Sequence, residues 1–292
     1  MDRPPHPALP HELQISDQRT DRHRHLLTRF TELMAQQPAT SATAELLPSR
    51  LAVAASLILE VAGAGVSLLF DDTRRLPIGA SDVHAAVAER LQFTAGDGPC
   101  WVAQQDRRPV VAGPHEMTDR WPAFAADLLA RTPYRAVVSL PLIGQLDGVG
   151  TVDLYLGSTA ELRALHIADT VAVADEIARQ LTEHLTERAT GDAPGAGPIP
   201  DQGADRGTDH GVAWLGSPGV RARARVWQAM GRLDGELGVS DEHSLQLLRT
   251  RARETGRTVD DIAEDVCAGV LPSSSFETAD TADTAPGGPT TE

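Results

Sequence analysis

The sequence predicts an α+β chain: an antiparallel sheet with helices, followed by a small all-α bundle of three helices. Three observations carry this. Ala136 to Ile143 and Gly148 to Leu156 are apolar, strand-like runs separated by Gly144-Gln145-Leu146-Asp147, which reads as a β-hairpin. Residues 189–218 are rich in Gly, Ala, Pro and Asp, the composition of a linker between two units. Val226 to Cys267 then repeats apolar residues at helical spacing, with only two short breaks. The length of 292 residues accommodates two ordinary domains.

The elements follow in chain order. Residues 1–20 are Pro-, His- and charge-rich without periodicity and are expected to be disordered. Residues 21–37 predict a helix with Leu26, Leu27, Phe30, Leu33 and Met34 on one side. A second helix is expected from Ala44 to Ala62. Strands follow at Gly65 to Phe70 and Leu76 to Ala80, then a helix at Val83 to Gln92. Gly96-Asp97-Gly98-Pro99 forces a loop, Pro109 to Ala112 is a short strand, and Trp121 to Ala130 a helix. After the hairpin, one long helix is expected from Ala160 to Arg188. Leu162, Leu165, Ala168, Ala172, Ile177, Leu181 and Leu185 give it an apolar strip suited to dimerisation. Residues 21–188 thus form one unit with flanking helices.

In the bundle, expected over residues 219–272, Val226, Ala229, Leu233 and Leu237 mark the first helix. Gly238 suits its C-terminal end and Ser240 the cap of the second, whose first turn carries Asp241 and Glu242. Leu245, Leu248 and Ala252 line the second helix, and Gly256 ends it. Thr258 or Asp260 starts the third, with Val259, Ile262, Ala263 and Val266 inward. Gly235 inside the first helix costs roughly 1 kcal/mol relative to alanine. Residues 273–292 are expected to be a disordered tail.

The order and spacing of Gln228-Ala229-Met230-Gly231-Arg232-Leu233, Leu237-Gly238-Val239-Ser240, Ser244 to Ala252 and Val259 to Val266 resemble an ANTAR domain, a three-helix RNA-binding module of bacterial antitermination regulators. Met230 stands where that family commonly has lysine or threonine, and Ser244 where it commonly has alanine. The preceding unit resembles a GAF sensor domain. The Gly65–Phe70 strand, the Gly96-Asp97-Gly98-Pro99-Cys100 loop and the Val137 to Leu142 strand with its hairpin carry that likeness. Together the two resemble GAF–ANTAR antitermination regulators of the actinobacterial type. The resemblance implies RNA contacts through Gln228, Met230, Gly231, Arg232, Arg249, Arg253 and Arg257. It also implies ligand or redox sensing around Gly98, Pro99 and Cys100. The implied partners are paired RNA stem-loops, a small-molecule ligand of the sensor and a second copy of the chain; no cofactor and no catalytic role are implied.

Composition narrows the alternatives. A formal charge of -15 argues against indiscriminate nucleic-acid binding, so RNA contact must come from a local patch. The chain has no lysine and no asparagine, which points to a GC-rich bacterial genome. No apolar run spans a membrane and no signal core is seen, so a cytoplasmic protein with reduced Cys100 and Cys267 is expected. Arginine suits RNA because its planar fork pairs with phosphate and stacks on unpaired bases. Arg249 and Arg253, four apart, share a helix face that Arg232 and Arg257 could flank; the bland alternative is a solvated face balanced by nearby acids. Cys100, at a helix start, could have its thiolate favoured by N-terminal amides, or be a small buried hydrophobe. Asp71-Asp72 is read as a turn cap, because a phospho-receiver also needs a lysine and a parallel sheet. The ten histidines form no zinc pattern. Phe70, Phe93, Trp101, Trp121, Phe124, Tyr134 and Tyr155 are assigned to the core around the sheet. Two other functions remain open: a GAF-type signalling protein whose bundle makes only protein contacts, and a cysteine-based redox enzyme.

Overall fold

Five strands form one antiparallel sheet in this computed structural model, which describes residues 11–36, 46–71, 74–146, 149–190 and 217–276. The strands are β1 (Gly63–Leu69), β2 (Arg75–Ala80), β3 (Val110–Ala112), β4 (Ala136–Leu142) and β5 (Gly150–Leu156). Their order is β2-β1-β5-β4-β3 and every neighbouring pair is antiparallel. Consecutive side chains of a strand point to opposite faces, so each strand divides its residues between two layers. Ala64, Val66, Leu68, Val138, Leu140, Val152 and Leu154 face a wholly apolar core. That layer is completed by α1 (His11–Gln36), α2 (Leu47–Ile58) and α8 (Ile167–Thr190). The odd-numbered positions of β1, β4 and β5, with Val110 and Ala112 of β3, face α3 (Val83–Ala95), α4 (Pro99–Asp106), α5 (Pro114–Arg120) and α6 (Pro122–Arg131). Since both faces are covered, β1, β4 and β5 are buried along their whole length.

The structure departs from expectation in several places. Helix α1 begins at His11, within the stretch expected to be disordered. Extending an existing helix through Glu12, Leu13 and Gln14 needs no new nucleus, and these residues have good propensity. The expected long helix after the hairpin is two helices, α7 (Thr159–Ala164) and α8, with Leu165 extended between them. The break lets Asp169, in the first turn of α8, accept two hydrogen bonds from Arg22 of α1 at 2.6 and 3.1 Å. Of the strip on these helices, Ile177 and Leu181 are buried in the apolar core with Leu162, Leu165 and Leu185 at its edge, while Ala168 and Ala172 are half-buried outside it. Phe70 is more than half exposed rather than in the core. Asp71 accepts from the Arg74 backbone N–H at 2.8 Å, the geometry of a turn.

The last three helices are α9 (Pro218–Leu237), α10 (Asp241–Thr255) and α11 (Val259–Cys267). Gly238 (φ 68°) and Gly256 (φ 64°) end the first two in the left-handed region. Ser240 caps α10, and Thr258 with Asp261 forms a capping box on α11. Val226, Leu233, Leu245, Leu248, Ile262 and Val266 fill the space between the three helices. Ser273–Phe276, placed in the expected tail, is a 3-10 turn that buries Phe276 on this core beneath Arg251. Residues 1–10, residues 191–216 of the linker expected at 189–218, the hairpin tip at 147–148 and the tail from residue 277 lie outside the described residues. No helix among the described residues is long and apolar enough to cross a membrane.

Candidate functional site

Two groups of polar and charged side chains stand out, one buried in the sheet unit and one on the bundle. The buried group arises because polar residues occupy odd positions of otherwise apolar strands. Ser67, Ser139, Asp153 and Tyr155 all project under α3, with Ser139 paired to Asp153 across the β4–β5 register. Arg75 of β2 enters from the edge. Its guanidinium donates to the Glu89 carboxylate at 2.6 Å, to Asp153 at 3.1 Å and to the Glu89 carbonyl at 2.9 Å. Ser67 and Tyr155 donate to Glu89 at 2.5 and 2.6 Å, and Ser139 and Gln92 donate to Asp153 at 2.5 and 2.8 Å.

These groups are sealed from solvent. Burial would lower the Arg75 pKa, but Cys100, Glu89 and Asp153 around it hold it above its ordinary value. Burial and the neighbouring Glu89 charge push Asp153 up to about 7, against the pull of Arg75 and two hydrogen bonds. Burial, with Glu89 beside it, also raises the Tyr155 phenol. Gln92 ties the network to the Gly96–Cys100 loop, its Oε1 accepting from the Cys100 backbone N–H at 3.1 Å.

The loop glycines serve contacts within the chain. A Cβ on Gly96 (φ 79°) would lie 2.9 Å from the Arg249 guanidinium carbon, and one on Gly98 would lie 2.5 Å from Gln92 Oε1. Pro99 opens α4, and Cys100 follows it fully buried. Burial raises the Cys100 thiol pKa, and the Arg75 charge offsets this only in part. A helix N-terminus stabilises an anion by about 1 kcal/mol, less than the desolvation of a buried thiolate costs. Of the two readings of Cys100, burial therefore supports the small buried hydrophobe over the activated thiolate. Among the described residues no three His, Cys, Asp or Glu side chains come together as a metal site.

On the bundle, the residues expected at an RNA face separate. Met230 is buried in the helical core and cannot present its side chain. Gln228, Gly231 and Arg232 are exposed on α9. Arg232 also donates to the Val266 carbonyl at 2.7 Å, satisfying an end of α11. Arg257 holds Asp265 at 2.5 Å and the Asp261 carbonyl at 3.1 Å. Arg253 is exposed, its nearest polar contact the Thr250 hydroxyl at 3.3 Å. Arg249, expected beside Arg253 on one face, is buried where α10 meets α3. Its Nε donates to the Phe93 carbonyl at 3.2 Å, and its side chain walls a cleft of about 610 Å³ with Trp101, Asp97 and Glu242.

Helix α9 starts at Pro218, ahead of Val226 where the apolar spacing begins, and so takes Arg221, Arg223 and Arg225 into the helix. Arg221 and Arg225 precede Gln228 and Arg232 at intervals of four, three and four residues, which places all four on one exposed side. The signal was present in the run Arg221-Ala222-Arg223-Ala224-Arg225, where the helical period sends Arg223 the other way. Arg225 also pairs with Glu264 at 2.6 Å. The assignment of Phe93 is corrected: it belongs to the bundle core rather than the sheet core. A scan against protein-family models finds no match for the chain, and a search of curated proteins finds none.

Proposed function

We propose that the chain is an RNA-binding transcription antitermination regulator of the GAF–ANTAR kind. In this reading the sheet unit is the sensor and the three-helix bundle binds stem-loops in a nascent transcript. One observation carries it: the exposed α9 side presents Arg221, Arg225, Gln228 and Arg232 in an otherwise strongly acidic protein. Residues 217–276 hold eight arginines against nine acids, so almost all the excess negative charge lies elsewhere in the chain. A local basic side on a helix is the electrostatic footprint that RNA phosphates require, while the acidic remainder suppresses adhesion to arbitrary polyanions.

A second reading, a bundle that makes protein contacts only, is favoured by the burial of Arg249 and Arg223 against α3. Filter binding of the full chain to a pool of RNA hairpins with randomised loops separates the two. The RNA reading expects retention that weakens steeply with added salt. No retention at about 50 mM salt, where phosphate contacts are strongest, favours the protein-contact reading.

A further inference from the structure

Where α3 meets the bundle, one aromatic ring is enclosed between them. Phe93, at the end of α3, is fully buried against the bundle. The Arg223 guanidinium lies 3.3 Å from the centre of that ring, and Arg249 lies 5.2 Å from it. Around the ring, Thr94 accepts a hydrogen bond from the Val259 backbone at 3.0 Å. Gly219 of α9 touches the backbone of Pro77 in β2 so closely that a Cβ would sit 2.5 Å from the carbonyl oxygen.

The polar groups beside this ring are poorly served by it. Arg223 is fully buried, and none of its three guanidinium nitrogens has a hydrogen-bond partner among the described residues. Asp260, also buried, stands 3.6 Å away, and neither of its carboxylate oxygens accepts a hydrogen bond among the described residues. Burial pulls the Arg223 pKa down to about 10 despite the Asp260 charge. Unpaired polar atoms in a closed interface cost stability, so the contact is weaker than its apolar part alone would make it.

We propose that Arg223, Arg249 and Asp260 form a binding site for an unpaired nucleotide of an RNA loop, and that Phe93 occupies this site when the bundle is docked. A planar ring against guanidinium groups is how arginine takes up a splayed-out base. A nucleotide brings what a phenyl group lacks: phosphate oxygens to accept from Arg223 and a 2′-hydroxyl to donate to Asp260. Docking and nucleotide binding are therefore mutually exclusive, and the sheet unit holds the site closed. The inference rests on the RNA-binding reading above.

The test compares the full chain with Phe93→Ala, Gly219→Val and Phe93→Ala/Arg223→Ala, using the randomised-loop hairpin pool at fixed salt. Phe93→Ala empties the site, and Gly219→Val wedges α9 away from β2 without touching it. Each is expected to tighten RNA binding by about tenfold, and exchange of the Val259 amide should accelerate in both. Adding Arg223→Ala should reverse the gain by about tenfold or more, the scale of one base stack. The side chain of Phe93 belongs to neither sheet core, so circular dichroism should remain native. If the native chain binds and neither opened variant binds more tightly, the inference is overturned while the RNA reading stands. A gain that survives Arg223→Ala also overturns it. If no form of the chain binds RNA, the reading itself falls and the inference with it; tighter capture of an aromatic peptide by the opened variants would then assign the site to protein.

Discussion

Replacing Arg75 with leucine is expected to lower unfolding stability by about 3–5 kcal/mol. The guanidinium is fully buried between Glu89 and Asp153, and both carboxylates are sealed from the solvent that could replace it. Leucine would leave Glu89 and Asp153 facing each other with hydroxyl and amide donors only. Urea unfolding at neutral pH measures the loss. The triple change Arg75→Leu with Glu89→Gln and Asp153→Asn should recover a large part of it, because the uncompensated charge disappears with the carboxylates. A loss below about 1 kcal/mol in the single variant would mean that the carboxylates simply take up protons and that the ion pair contributes little.

Charge reversal on α9 is expected to have the largest effect on RNA. Arg225→Glu with Arg232→Glu puts two carboxylates into the exposed side while leaving every core residue in place. Affinity for stem-loop RNA should fall by roughly a hundredfold at physiological salt, and the slope of log affinity against log salt should shrink by about one for each phosphate that is no longer neutralised. Arg225 is exposed and its partner Glu264 is exposed, so breaking that pair alters folding little. Equal affinity and equal salt slope in native and reversed proteins would remove α9 from the interface. Arg253→Ala, on the neighbouring helix, should produce a smaller loss of the same kind.

The backbone plan was legible because its punctuation is local. Gly238, Ser240, Gly256 and Thr258 end and begin helices where their own side chains, or lack of them, make the required geometry favourable. The β4–β5 hairpin followed from two apolar runs and a short connection. What escaped was long-range. Nothing in the sequence ties Arg75 to Asp153, 78 positions away, and the serines of β1 and β4 read as minor interruptions of apolar strands. Helical period correctly relates Arg249 to Arg253, but only the packing of α10 on α3 decides that the first is covered and the second open. Phe93 looked like one more sheet-core aromatic because the helix bearing it also packs on the sheet. The break at Leu165 left no trace, since neither glycine nor proline marks it.

Asp153 gives folding a stoichiometry in protons. In the unfolded chain its carboxyl titrates near the ordinary value of 3.8, whereas in the fold it is held to about 7. Between those values the native protein carries a proton that the unfolded chain releases, so its contribution to stability is complete below about pH 4 and is lost as pH rises through about 7. Heat unfolding near pH 6 should therefore deliver close to one proton to the buffer. Calorimetric enthalpies measured at that pH in phosphate and in Bis-Tris should then differ by nearly the difference in the two buffers' ionisation heats. In Asp153→Asn that difference should vanish.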